Sequence, residues 1–396
     1  MGSANPWFML AVLFVARTST GYVFQSIGSS GPAIAAALAV DFALIGTLIG
    51  LYKFPGIILS LPSGMLGRST SDRNIIGAGL AIMALGCAIT AMSDSYALAA
   101  AGRLTTGIGA TISNLYFTKV VLDWFADSHS LPLAMAILVN SWPLGIALGL
   151  MTQGPITIAW NWQGAVMVSC TAALTATLLL FALYREAPGR TLPPATGIKA
   201  LLALSRDEWL NMVLIGLVWS ALNVALAMVF GFAPALLNSR GYDLASAGYL
   251  IGIGTWIGII AIPAGGALAS HTGRGTTIMF VCTMAAGVVY AMLAAWPDSL
   301  WLYAAFGIFG FAAAGPIMAQ PAKSLRNANR AAGMGIFYTI YYLCMGLLPS
   351  VAGGLHDIHG PHAPISFAAM LMVLSLVAQG FLKLRSNRAR CDLSGG

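Results

Sequence analysis

Two cationic side chains, Arg17 and Lys53, lie near the middle of apolar stretches long enough to cross a bilayer, and no acidic residue falls inside any such stretch to neutralise them. A cation at the bilayer centre costs roughly 2.5–3.5 kcal/mol on insertion scales, so it normally faces a cavity and has a partner. The missing partner is then the cargo, a small anion. A guanidinium fork matches a carboxylate or similar oxyanion bidentately, and an ammonium adds a compact second charge. The duller role for Arg17 is pairing with backbone carbonyls or a helix end. Lys53 shares a helical face with Gly46 and Gly50. Small residues beside a lysine either open a cavity or let two helices pack closely, and the cavity is the expectation here.

Polar and aromatic residues in other stretches are candidates to complete such a site. Asn114 shares the face of Arg103 in the fourth stretch, Trp219 and Asn223 are one turn apart in the seventh, and Tyr338, Tyr341 and Tyr342 cluster in the eleventh. Core packing competes for each aromatic, and interhelical hydrogen bonding competes for each asparagine. The substrate-binding set is therefore Arg17, Lys53, Asn114, Trp219, Asn223, Tyr338, Tyr341 and Tyr342. Lys119, near one end of its stretch, is expected to snorkel to the interface. Trp142, Trp219 and Trp256 are mid-stretch, whereas the other seven tryptophans fall at the ends, as an aromatic belt requires.

Catalytic and cofactor chemistry finds no support. The chain has no Gly-Lys-Ser phosphate loop and no His-Glu-x-x-His, and no acid or histidine inside a stretch to serve as general base. No cofactor and no catalytic residue is expected. His356, Asp357, His359 and His362 fall in what reads as an external Gly- and Pro-bearing loop without a second ligand cluster, so no metal is expected there. The five cysteines imply no disulfide framework.

The elements that must position these residues follow from composition. The chain is 58% hydrophobic and 8% charged, against about 25% charged in a soluble domain. Such a chain reads as an all-α membrane protein embedded in lipid. Twelve spans are predicted: 7–29, 43–65, 75–93, 97–121, 131–153, 163–184, 209–235, 245–269, 276–295, 300–320, 331–352 and 363–384. With both termini cytoplasmic, fourteen basic residues fall in inside loops, and Arg240 is the one clearly outside. The net charge of +7 expresses this loop bias, so nucleic acid is not an expected partner. The N-terminus lacks the basic region and cleavage site of a secretory signal and reads as the start of a retained helix. A polar connection at 185–208 divides the chain into halves 1–184 and 209–384, with a tail at 385–396. GMLGRSTSDR at Gly64 and GALASHTGR at Gly266 recur at an offset of 202 residues. A repeated six-helix unit suits two bundles that rock about a midplane site.

On these features the chain resembles the major facilitator superfamily. That family's Gly-x-Leu-Ala-Asp-Arg-x-Gly-Arg-Arg signature is eroded here: Gly64, Leu66 and Gly67 fit but Arg68 replaces the Asp, and Gly266, Leu268, Ala269, Gly273 and Arg274 fit with Ser270-His271 replacing Asp-Arg. Arg-x-x-x-Gly-x-Gly is intact as Arg103, Gly107 and Gly109. The resemblance implies two pseudo-symmetric six-helix bundles, and a gating or structural role for Arg103, Gly64, Gly107, Gly109, Gly266 and Arg274. Arg17, Ser29-Ser30-Gly31-Pro32, Pro55, Pro62 and Gly353-Gly354-Leu355-His356-Asp357 look like the cyanate-permease branch, which includes nitroimidazole-type transporters. The resemblance and the cations together imply a monomeric secondary transporter of a small anion in the cytoplasmic membrane. It would work by alternating access, as an antiporter or with a proton carried by the substrate. The alternatives are a proton-coupled exporter of drugs or neutral metabolites, and a non-transporting sensor on the same fold.

Overall fold

The computed structural model describes residues 5–59, 70–126, 128–188, 204–326 and 329–394, and all of its regular structure is helical. The order is α1 (Pro6–Leu38), α2 (Phe42–Leu51), α3 (Gly56–Leu59), α4 (Asp72–Ala91), α5 (Tyr96–Trp124), α6 (Leu131–Leu183), α7 (Arg206–Ser239), α8 (Leu244–Thr272), α9 (Gly275–Ala295), α10 (Leu300–Ala312), α11 (Ala314–Met318), α12 (Gln320–Ser324), α13 (Arg330–His359) and α14 (Ala363–Ser394). Side-chain caps explain many of the starts. Asn5 precedes Pro6, and Asp41, Ser71, Ser95 and Asp243 each accept from a backbone N–H two or three residues into the helix. Ser205 and Glu208 form a full capping box.

Ten segments among the described residues are long and apolar enough to span a membrane. One of them, α6, is 53 residues long and bends at Trp160–Asn161, where Asn161 adopts φ 61° and its Oδ1 caps Gly164 N at 3.0 Å. A positive φ is tolerated by Asn better than by branched residues, and the turn makes two passes of one helix. The 29-residue α5 is the remaining pass, less apolar because it carries Arg103, Lys119 and Asp123. The twelve predicted spans are thus present, several with longer helices than expected: α1 runs through Pro32 to Leu38, and α13 continues to His359. Large apolar residues such as Leu178 and Ile260, about seven-tenths exposed, suit the lipid boundary.

An even number of passes puts both termini at one end, called here the terminal end; the opposite end is the far end. Within the first half α1 packs on α6, and α4 packs on α5 and α6; within the second, α7 packs on α13 and α14, and α8 on α10. The halves meet through α1 and α7, α2 and α13, and α6 and α8. Between α2 and α13 the contact is backbone to backbone. A Cβ on Gly46 would lie 2.0 Å from the Pro349 carbonyl oxygen, on Gly50 2.1 Å from that of Gly346, and on Gly353 1.9 Å from that of Phe42.

Candidate functional site

Lys53 does not sit in mid-helix. Pro55 has no N–H to donate, and the amides of Lys53 and Phe54 both turn back on the Gly50 carbonyl, at 2.9 and 3.0 Å. The chain therefore breaks over Tyr52–Pro55 between α2 and α3. Lys53 leaves the C-terminal end of α2, where the helix dipole carries partial negative charge. Its ammonium lies 3.9 Å from the centroid of the Trp142 ring and 5.5, 5.7 and 5.9 Å from those of Tyr52, Phe24 and Tyr341. Such cation–π contacts are worth about 0.5–2 kcal/mol each, most when desolvated. The residue is only 7% exposed, and among the described residues no carboxylate or carbonyl accepts from Nζ. Gly46 and Gly50 do not open a cavity beside it, contrary to expectation. They are the points at which α2 touches α13.

Arg17, on α1, is half-buried. Its Nε donates to Asn114 Oδ1 at 3.1 Å and Nη1 to the Leu138 carbonyl at 2.5 Å. The second terminal nitrogen makes no hydrogen bond among the described residues. The tyrosines that interact electrostatically with the guanidinium are Tyr338, Tyr341 and Tyr342 of α13. Tyr341 and Tyr342 stand edge to face with centroids 5.0 Å apart. Because Tyr341 also flanks the Lys53 ammonium, α1, α5 and the break between α2 and α3 from one half and α13 from the other bring Arg17, Asn114, Lys53 and the three tyrosines to one place.

The remaining two candidates join less directly. Trp219 stacks on Phe337 at 6.2 Å and reaches Tyr341 at 6.4 Å. The Asn223 Nδ2 donates to the Trp219 carbonyl at 2.9 Å, a bond within its own helix, and no hydrogen bond among the described residues ties it to either cation.

Arg103 contrasts with Arg17. Its Nε, Nη1 and Nη2 donate to the carbonyls of Leu48, Val23 and Phe24 at 3.1, 3.0 and 2.7 Å, and its fork lies over Tyr52. With every nitrogen spent and 2% exposure, it pins α1 and α2 to α5. Gly107 and Gly109 on the same helix admit the backbones of Tyr52 and Gly79. Gly64 lies outside the described residues. Gly266 has nothing within 4 Å of where a Cβ would be, and Arg274 is exposed at the start of α9.

The expectation for Lys119 is corrected. Its Nζ lies 2.5 Å from Asp72 and 2.9 Å from Asp123, carboxylates whose side chains are each 2% exposed, so it is ion-paired inside the terminal end. The placement of His356, Asp357 and His359 in a loop is corrected too, since all three lie in the last turn of α13. At the mouth of α7, Asp207 pairs with Arg385 at 2.5 Å, and Glu208 accepts from Ser205 N, Arg326 N and Asn329 Nδ2.

Phe24, Tyr52 and Trp142, which cradle Lys53, were absent from the sequence-derived set. Trp142 carried a signal, a tryptophan in mid-span away from the belt. For Phe24 nothing in its own stretch singles it out.

The hexuronate transporter of Bacillus subtilis (strain 168) is 19% identical over 370 residues, 88% of this chain and 87% of that protein. The 2-nitroimidazole transporter of Escherichia coli (strain K12) is 22% identical over 394 residues, 95% of each. The inner membrane transport protein YajR of the same organism is 30% identical over 139 residues, and that stretch spans only 30% of its length. Among solved structures, the nucleoside transporter NupG superposes with a TM-score of 0.73 at 14% identity, covering 94% of this chain and 98% of that one. The sequence model of the Major Facilitator Superfamily matches residues 13–349. With residues 13–349 inside that match, the chain belongs to the major facilitator superfamily of secondary transporters, which are not enzymes.

Proposed function

We propose that this transporter moves a small anion, a carboxylate, cyanate or similar oxyanion, across the cytoplasmic membrane with both termini inside, the halves 1–184 and 209–384 rocking as units. The observation that carries this reading is the Lys53 ammonium, buried against four rings with no anionic partner among the described residues, beside an Arg17 fork whose second terminal nitrogen makes no hydrogen bond among them. Arg17 would hold the anion bidentately and Lys53 would add the second charge, with Asn114 and the tyrosines as further donors. The hexuronate named for one relative is itself a carboxylate, which supports the class. The 2-nitroimidazole named for another, aligned along nearly the whole chain, supports the second reading, export of a neutral polar compound. Among the described residues the centre offers no carboxylate for a proton relay, and Asp207 and Glu208 are both engaged elsewhere. Exchange, or a proton borne by the substrate, fits this arrangement.

A thermal-shift screen of small anions on purified protein tests the reading, because a ligand that binds the folded state raises its apparent stability. A stabilising anion should lose its effect in Arg17→Ala and Lys53→Ala, and Arg17→Lys should fail as well because a point charge cannot reproduce the fork. Undiminished stabilisation in both alanine variants, or stabilisation by neutral compounds alone, would transfer the reading to the exporter.

A further inference from the structure

The far ends of the two halves are joined by one carboxylate. Asp357, in the last turn of α13, accepts from the backbone N–H of Phe42 at 3.0 Å through one oxygen and from that of Ala43 at 2.8 Å through the other. These are the first two amides of α2, in the other half of the molecule. The first four N–H groups of any helix lack an intrahelical acceptor. Here Asp41 takes that of Leu44 with its side chain and that of Ile45 with its carbonyl. Asp357 supplies the two that remain, and its charge complements the positive end of the α2 dipole. Beside it the His356 ring lies on Phe42, centroids 3.8 Å apart. One turn deeper Thr47 Oγ1 meets Ser350 Oγ at 2.9 Å, and below that the glycine seam begins.

The other hydrogen bonds between the halves are few. Gln25 Nε2 donates to the Phe230 carbonyl at 2.9 Å, Trp256 Nε1 to Met151 Sδ at 3.0 Å, and Ser350 Oγ to the Ala43 carbonyl at 3.3 Å. Among the described residues every such bond lies between mid-helix level and the far end. No such bond among the described residues joins the halves at the terminal end, where the pairs Lys119–Asp72, Lys119–Asp123, Asp207–Arg385 and Glu208–Arg326 each lie within one half.

We propose that Asp357 is the latch of the far gate, a carboxylate on one half that closes the gate by capping a helix of the other, and that this structure shows the latch engaged. The design is reversible. When α2 and α13 part, water reaches the exposed amides of Phe42 and Ala43 and solvates the freed carboxylate, so neither group is stranded. Removing the carboxylate weakens the far-closed state alone and moves the population toward far-open molecules. In those molecules the terminal end must close.

Hydrogen–deuterium exchange on the full chain in lipid nanodiscs reads both ends at once, without substrate, in Asp357→Ala and in the near-isosteric Asp357→Asn. The expected result is exchange about tenfold faster along the whole far seam, in peptides spanning 42–50 and 346–357, because opening becomes common. Terminal-end peptides spanning 119–126 and 265–275 should slow in the same samples, and Asp357→Glu should restore part of the wild-type pattern. Faster exchange confined to Phe42–Leu44 with the terminal end unchanged would make Asp357 an ordinary helix cap and overturn the proposal. Wild-type exchange throughout would overturn it too. If the alanine variant does not fold, the asparagine variant alone decides. A failure of the anion screen leaves this test untouched, since no ligand enters it.

Discussion

At the terminal end Lys119 holds two carboxylates, Asp72 at 2.5 Å and Asp123 at 2.9 Å, whereas at the centre Lys53 rests against aromatic faces with no carboxylate pairing with it among the described residues. The same pairing separates the arginines: Arg103 donates from all three nitrogens to carbonyls, while Arg17 keeps one terminal nitrogen unbonded among the described residues. A buried cation with a full set of acceptors is a structural tie. The cations left incomplete, Arg17 on α1 and Lys53 at the break after α2, are where we propose that the anion binds. What distinguishes the two kinds is therefore the unsatisfied valence, since burial and charge are common to both.

Removing the lysines should break this contrast most visibly. Lys119→Ala deprives two buried carboxylates of the cation they share, and loss of one partner from such a group costs about 3–5 kcal/mol. The variant should melt far below the wild type in detergent. Lys53→Met loses cation–π contacts of about 0.5–2 kcal/mol but also removes an uncompensated cation from the membrane centre. Its melting temperature should be unchanged or higher, while anion-dependent stabilisation disappears. Equal losses of stability at both positions would erase the distinction.

A smaller effect is expected at the seam between the halves. Gly46→Val inserts a side chain where even a Cβ would lie 2.0 Å from the Pro349 carbonyl oxygen, and overpacking of this kind costs about 1–3 kcal/mol. Each half should still fold, but substrate uptake into proteoliposomes should fall because the far end cannot close. Wild-type uptake would show that the seam need not form during transport.

The smallest effect belongs to Gly266. A Cβ there meets nothing within 4 Å, so Gly266→Ala should change stability by no more than about 1 kcal/mol, in the favourable direction that helix propensity dictates. Uptake should be unaltered. A loss of uptake at wild-type stability would sharpen the comparison instead, by revealing a contact that Gly266 makes only in another state of the cycle.

The class of protein and the grouping of several candidate residues were legible because they depend on composition and on helical spacing. Arg17, Asn114 and the tyrosines of α13 each project from one helix face, and an uncompensated cation stands out in an apolar stretch. Pairings between distant helices were not legible. Lys53 was assigned to a continuous span although Pro55, two residues on, signals a break. The cradle of Phe24 and Trp142 exists only once α1 and α6 are packed around it. Gly353-Gly354 suggested the end of a helix, yet Gly353 is where α13 touches α2 and the helix runs on to present Asp357. Lys119 was the avoidable miss, because Asp123 lies four residues along the same helix face, a spacing that pairs charges.

The glycine seam between α2 and α13 has a thermodynamic consequence. Immobilising a long side chain costs up to about 2 kcal/mol of rotamer freedom, and a glycine has none to lose. A gate made of interdigitating leucines and methionines would surrender that freedom each time it shut and recover it each time it opened, tilting the equilibrium toward the open side. Where Gly46, Gly50 and Gly353 bring backbone against backbone, closure asks almost nothing of side-chain entropy. The two states of the far end can then lie close in free energy, and a few hydrogen bonds suffice to tip the balance between them.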